Sequence, residues 1–172
     1  MGVREDEQAT EGEGAEGAEV DERPMSGYAV TLATYAAYAG GWAALIRRHG
    51  RLPERHDASD IALTAVAAFR VSRLLTKGAV TSPLRKPFTT YEGAQGPAEV
   101  SERPRHGLRH AAGELLTCPF CMSMWVTTAL TAGRCVWPRA TRTAVAVLAS
   151  VAGADALQLA YSGLMEKVTR GE

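Results

Sequence analysis

From Pro24 to Ile46 the chain runs for 23 residues without a charge, "PMSGYAVTLATYAAYAGGWAALI". A helix of about 20 apolar residues crosses a bilayer, so this stretch is long enough to span one. Tyr28, Thr31, Tyr35, Tyr38, Trp42 and Leu45 recur at steps of three and four and share one helix face. Ala33, Ala37 and Gly41 form a small-residue row on another face, a pattern that lets helices approach closely in lipid. The spacing predicts a helix over 25–48, stopped by the basic, Gly-containing "RRHGR".

A second helix is expected over 58–77, with Asp57 or Ser59 as its cap and with Gly78 and Pro83 ending it. Its uncharged part, Ile61–Phe69, is nine residues, and Arg70, Arg73 and Lys77 then make a cationic stripe. Two arginines in an isolated span are costly. This helix is therefore expected to lie on or dip into one leaflet, to be shielded by neighbours, or to pair its arginines with acids. Pro83, Pro87, Pro97, Pro104, Gly93 and Gly96 mark residues 79–110 as a mobile loop, with a short helical turn, "GLRHAAGEL", at its end.

Leu115–Gly133 is again free of charge for 19 residues, and a helix is expected over 115–137. A final helix over 141–165 contains one acid, Asp155, and a small-residue row at Ala146, Ser150 and Ala154. Only "WPRATRT" separates the two, so they form an antiparallel hairpin. No strand pattern is present. The periodicities predict an all-α fold, a small helical membrane bundle of three to four helices with a C-terminal antiparallel hairpin.

Charge changes the picture at the N-terminus. Residues 1–24 hold nine acids and two arginines, so a chain of net charge zero joins a tail of −7 to a body of +7. The tail has almost nothing large and apolar to bury and is expected to be disordered. It has no basic start followed by an apolar run, and so is no signal peptide. It also explains how a mean hydropathy of −0.11 fits a membrane protein. Residues 47–109 carry twelve Lys and Arg, against two in the 138–142 turn, which predicts a cytoplasmic 47–109. On that basis 25–46 runs inward, 58–78 rests on the inner leaflet, 115–137 runs outward and 143–165 returns. No aromatic-basic interleaving or reader motif points to nucleic acid.

"CPFC", Cys118 to Cys121, is the candidate chemistry. Pro119 suits the first turn of a helix and makes Thr117 or Cys118 the cap, which places the Cys118 sulfur at a positive helix end. The motif is similar to a glutaredoxin's, but those folds need a strand and a βαβ pattern around it. A membrane thiol–disulfide exchanger of the vitamin-K-epoxide-reductase type, using Cys118 and Cys121 beside a quinone, is one alternative. A zinc-stabilised module with His106, His110, Cys118 and Cys121 as ligands is another. No cofactor is expected outside these two. The simplest account is packing. Cys118, Cys121, Trp125, Thr128, Ala132 and Cys135 step by three and four, forming one stripe against a partner helix.

"AAFRVSRLLTKGAVTSPLRKPF", a variable loop, "GELLTCPFCMSMW" and a last apolar helix with Asp155 together resemble a family of small bacterial membrane proteins. That family is catalogued as domain of unknown function 1360. The resemblance covers roughly 58–165 and makes the tail and the 25–46 helix look like an N-terminal addition. It implies a multi-pass protein of the bacterial cytoplasmic membrane with no assigned activity, and it suggests that the 58–78 helix is itself embedded. The charges then need partners, and Arg70 or Arg73 is expected to pair with Asp155 or Glu114. The leading expectation is a non-enzymatic membrane component. Its partners are the lipid bilayer and another helix or a second copy of itself, engaged through small-residue faces.

Overall fold

The computed structural model describes residues 25–53, 57–106 and 109–171. The acidic segment 1–24, expected to be disordered, lies outside the described residues. Six helices and one β-hairpin follow in the order α1 (Met25–His49), α2 (Ala58–Lys77), α3 (Ser82–Arg85), β1 (Thr89–Ala94), β2 (Val100–Pro104), α4 (His110–Thr117), α5 (Pro119–Val136) and α6 (Pro138–Arg170).

The expected helices form with differences at their ends, the last one running on to Arg170. The cysteine helix is broken. Thr117 ends α4, Cys118 is extended, and α5 restarts at Pro119 with a bend of 77°. Proline has no N–H to continue a helix but fits its first turn, so the break falls before it. The same rule starts α6 at Pro138 and leaves Trp137 alone to join the hairpin, a tighter turn than "WPRATRT" suggested.

Residues 79–110 are not a structureless loop. A 3-10 turn over Ala79–Thr81 and the short α3 lead into the antiparallel pair β1–β2, registered as Thr89 to Pro104 and Tyr91 to Glu102. One extra residue, Glu92, bulges β1, and Gly93 follows at φ +154°, where a side chain is disfavoured. The signal was a β-branched and aromatic run, "TTY", then a Gly-Pro turn and "VSE". Gly113 of α4 sits against this hairpin so closely that a Cβ would lie 2.8 Å from the Phe88 carbonyl and 3.0 Å from Pro104 Cα.

Contacts along the long helices give their directions. Tyr35 and Tyr38 stack on Trp125, and Trp42 meets Trp137, so α1 and α5 run the same way. Asp60 meets Arg134 and Arg70 meets Asp155, so α2 runs opposite to α5 and alongside α6. One end of the bundle, the cap end, gathers Met25, the β-hairpin, α4 and Cys118. The other, the turn end, gathers the α1–α2 linker and Trp137. This corrects the expected orientation, which had α1 and α5 running oppositely. Loop charge cannot register that α2 packs lengthwise between α5 and α6.

The interior is small. Among the described residues the buried apolar side chains are Ala67, Ala68, Ala111, Val126, Ala132 and Val145. Large apolar residues face outward, including Ile61 and Phe69 at 58% exposure, Leu157 at 74% and Phe120 at 87%. Thr64, Ala68, Ser72 and Thr76 recur every four residues on the buried face of α2. The Thr64 and Thr76 hydroxyls donate to carbonyls four residues back, and that of Ser72 three back. This spends their polarity locally and lets neighbours approach. Among the described residues two helices, α1 and α6, are by length and composition apolar enough to cross a membrane, and three if the bent pair α4–α5 counts as one span.

Candidate functional site

The cap end is built around Arg85. Its side chain is 1% exposed and that of its partner Glu102 is 2% exposed. Arg85 Nε donates to Glu102 Oε2 at 2.9 Å and Nη2 donates to Oε1 at 3.0 Å, a bidentate pair. Nη1 also donates to the Leu75 carbonyl at 2.7 Å and to Thr81 Oγ1 at 2.6 Å, and Nη2 to the Gly78 carbonyl at 3.0 Å. All five guanidinium N–H groups are thereby placed. Leu75 lies in the last turn of α2, where helix carbonyls lack partners and a cation is favoured, so Arg85 caps α2 with its side chain. Ser82 and Thr89 hydroxyls donate to the two Glu102 oxygens at 2.5 and 2.8 Å. Burial pushes the Glu102 carboxyl up, but hydrogen bonds from Arg85, Ser82 and Thr89, with the Arg85 charge, outweigh it and hold the group below its ordinary value.

The cysteine corner lies beside this cap. The Cys121 N–H donates to Cys118 Sγ at 3.3 Å, so the sulfur of Cys118 takes the capping position expected of it. Cys118 is half-buried, Cys121 is exposed, and both are free thiols, as is Cys135. His106 and His110 stack with ring centroids 6.5 Å apart, and His110 Nε2 lies 3.4 Å from Glu114 Oε1. The zinc alternative required His106, His110, Cys118 and Cys121 to converge. Among the described residues no three His, Cys, Asp or Glu side chains come together as metal ligands. The imidazole of His110 instead faces the carboxylate one turn on.

Asp60, Arg70 and Arg73 of α2 each find a partner. Arg70 Nε lies 2.7 Å from Asp155 Oδ2 on α6. The Arg70 Nε–H is buried without an aligned hydrogen bond, so this contact is charge to charge. Arg73 forks onto Glu99, with Nε 3.0 Å from Oε1 and Nη2 2.5 Å from Oε2, and its guanidinium lies 5.9 Å from the Phe69 ring centroid. Asp60 pairs with Arg134 of α5. Of the residues singled out for pairing, the structure joins Arg70 to Asp155, and sends Arg73 and Glu114 to other partners.

Sequence reasoning missed Arg85, Glu102, Glu99, Asp60 and Arg134. Arg85 and Glu102 lay in what looked like loop. Asp60 and Arg134 each stood near the end of an apolar stretch, where a charge reads as a stop signal. Part of the expected α5 stripe, Trp125 and Thr128, does meet the aromatic face of α1, whereas Cys121 is exposed. Tyr35 Oη and Thr128 Oγ1 are 2.9 Å apart, and Tyr38 Oη donates to the Trp125 carbonyl at 3.1 Å.

Chemically, Arg85, Glu102, Ser82 and Thr89 bond to one another, and the free thiol of Cys121 is exposed. Comparison with curated proteins and with solved structures returns no match. A family model described as "Protein of unknown function (DUF1360)" matches residues 63–161, from the first turns of α2 into α6, and takes in the Arg85–Glu102 cap, the cysteine corner and the Arg70–Asp155 pair. The chain belongs to that DUF1360 family.

Proposed function

We propose that this protein is a multi-pass integral membrane protein in which α1, α2, α5 and α6 all cross the bilayer, and that it acts as a non-enzymatic membrane component through helix association. The observation that carries the reading is the inverted size distribution, small and hydroxyl-bearing side chains inside and large apolar ones outside. A water-soluble bundle buries its leucines and phenylalanines, because removing them from water is its main driving force. In lipid that force is absent and close packing of small residues takes over. α2 joins the spans because each of its arginines is matched by an acid of a neighbouring element, which lowers the cost of placing it in a bilayer. Its 20 residues measure about 30 Å, the thickness of the hydrocarbon core. The resemblance to small bacterial membrane proteins supports the bacterial cytoplasmic membrane as its location.

The test is extraction. The full-length chain should stay with membranes through alkaline carbonate and high salt, dissolve only in detergent, and float with vesicles after reconstitution. Recovery in the soluble fraction after carbonate sinks the reading. One observation favours a second reading, a thiol redox protein. Cys121 is exposed beside a Cys118 sulfur that caps a helix. Alkylation before and after reductant separates the two. A Cys118–Cys121 disulfide found in membranes prepared without reductant supports the second.

A further inference from the structure

At the turn end, the α1–α2 linker, the last turn of α5 and the first turns of α6 enclose a cleft of about 910 Å3 lined by Arg51, Arg134 and Arg142, with Asp57 and Asp60. Asp60 neutralises Arg134. Arg51 and Arg142 make no ion pair among the described residues. Arg47 and Arg48 in the last turn of α1 and Arg139 in the first turn of α6 belong to the same end of the described chain.

The cleft continues into apolar space. A second cavity of about 570 Å3 lies along α5 against α1, and Leu52, Thr127, Thr131 and Cys135 line both. It reaches from Cys135 to Ser123, twelve residues of helix, past Ala39, Trp42 and Ala43 of α1. That is about 18 Å, a little more than one leaflet of hydrocarbon. Trp42, which lines the second cavity, meets Trp137 of the α5–α6 turn edge-on at 6.2 Å, and tryptophan favours the headgroup region.

We propose that the joined cavities hold one anionic phospholipid. Its phosphate sits between Arg51 and Arg142, and one acyl chain runs down the groove between α1 and α5. A phosphodiester accepts forked hydrogen bonds from guanidinium groups and supplies the charge that these two arginines lack. A free phosphate satisfies the arginines but leaves the apolar groove unfilled. A zwitterionic lipid fills the groove but brings its own cation to a site already positive. The inference rests on the membrane reading above.

Tryptophan quenching tests it, since Trp42 lines the groove. The full-length protein is reconstituted in phosphatidylcholine vesicles doped with phosphatidylglycerol or phosphatidylcholine carrying brominated acyl chains. Brominated phosphatidylglycerol should quench at a mole fraction well below that needed for its zwitterionic counterpart. The double variant R51Q/R142Q should lose that selectivity by roughly tenfold or more. Ala43→Leu, which narrows the groove and touches no charge, should weaken quenching by both lipids. Equal quenching by the two lipids, or undiminished selectivity in R51Q/R142Q, overturns the proposal. Loss of the phosphatidylglycerol preference on adding inorganic phosphate also overturns it and assigns the arginines to a free anion. A protein that never enters the vesicles fails the membrane reading instead, and the two failures are thus distinct.

Discussion

Arg85 is the bulkiest of the wholly buried side chains among the described residues, and every one of its guanidinium N–H groups has an acceptor. Removing one member of such a pair leaves the other buried and uncompensated, which costs about 3–5 kcal/mol. Arg85→Met should therefore unfold the cap and lower the thermal midpoint in detergent sharply, whereas Arg103→Met should barely move it, its pair with Glu92 being largely exposed. Acid should act on the same knot. The Glu102 carboxyl is held below its ordinary value in the folded protein, so its contribution is complete at neutral pH and is lost as pH falls through the depressed folded value. The midpoint of Glu102→Gln should start lower at neutral pH and fall less than the wild type's between about pH 5 and pH 3. A parallel decline in both proteins would mean that other carboxylates set the acid limit. Arg70 and Asp155 pose a different case, a charge pair without an aligned Nε–H bond. Asp155→Asn should destabilise by about 3 kcal/mol, because Arg70 is then left alone beside α6. The double variant R70M/D155L should recover most of that loss, since an apolar pair of similar volume fits lipid at least as well as an ion pair. Failure of the double variant to recover would show that the charges do more than hold α2 to α6.

Which small-residue row is used decides how the helices associate. Ala33, Ala37 and Gly41 on α1 are exposed, as are Ala146, Ser150 and Ala154 on α6, while Thr64, Ala68, Ser72 and Thr76 on α2 carry the close packing. Adding bulk should separate these faces. Ala68→Leu overpacks the α2 interface and should cost about 1–3 kcal/mol, while Ala37→Leu should change stability by under about 0.5 kcal/mol in the monomer. Destabilisation by Ala37→Leu, read by crosslinking as loss of a dimer, would instead reveal that the α1 row meets a second copy. Gly113→Ala should detach α4 from the hairpin, because its new Cβ meets backbone on both sides and neither can yield. Proteolysis within 89–104 would report it. At this scale much was legible. The end of α2 follows from Gly78, while Asp57 takes the N-cap position without a side-chain capping bond, and the aromatic stripe of α1 follows from its three-four spacing. The choice among small rows was not, because an alanine-rich chain offers such rows on several faces and only the neighbours' positions select one. Nor was the hairpin, whose strands are held less by their own pattern than by Arg73 reaching Glu99 and Arg85 reaching Glu102. Pairs so far apart in sequence leave no local trace.

Across the whole molecule the directions of the helices fix a parity that loop charge could not. Counting basic residues treats α2 as too charged to cross and leaves three spans, with the two ends of the chain on opposite faces. Pairing removes that objection, since Asp60, Arg70 and Arg73 each meet an opposite charge on another element. With α1 and α5 running one way and α2 and α6 the other, the four crossings proposed above would bring Met25 and Arg170 to the cap face. Cys121 belongs to that face, and Cys135 to the turn face. The arrangement can be checked without knowing which face is cytoplasmic. A tag at the N-terminus, a tag after Glu172 and the single thiol of a variant retaining only Cys121 should all be reached by impermeant reagents from the same side. A thiol introduced at Leu52, 76% exposed in the α1–α2 linker, should be reached from the other. Termini labelled from opposite sides would remove α2 from the bilayer. Its arginine pairs would then be surface contacts of modest worth, and Asp155→Asn would lose the large effect predicted for it. Topology and stability thus test the same structural claim by independent measurements.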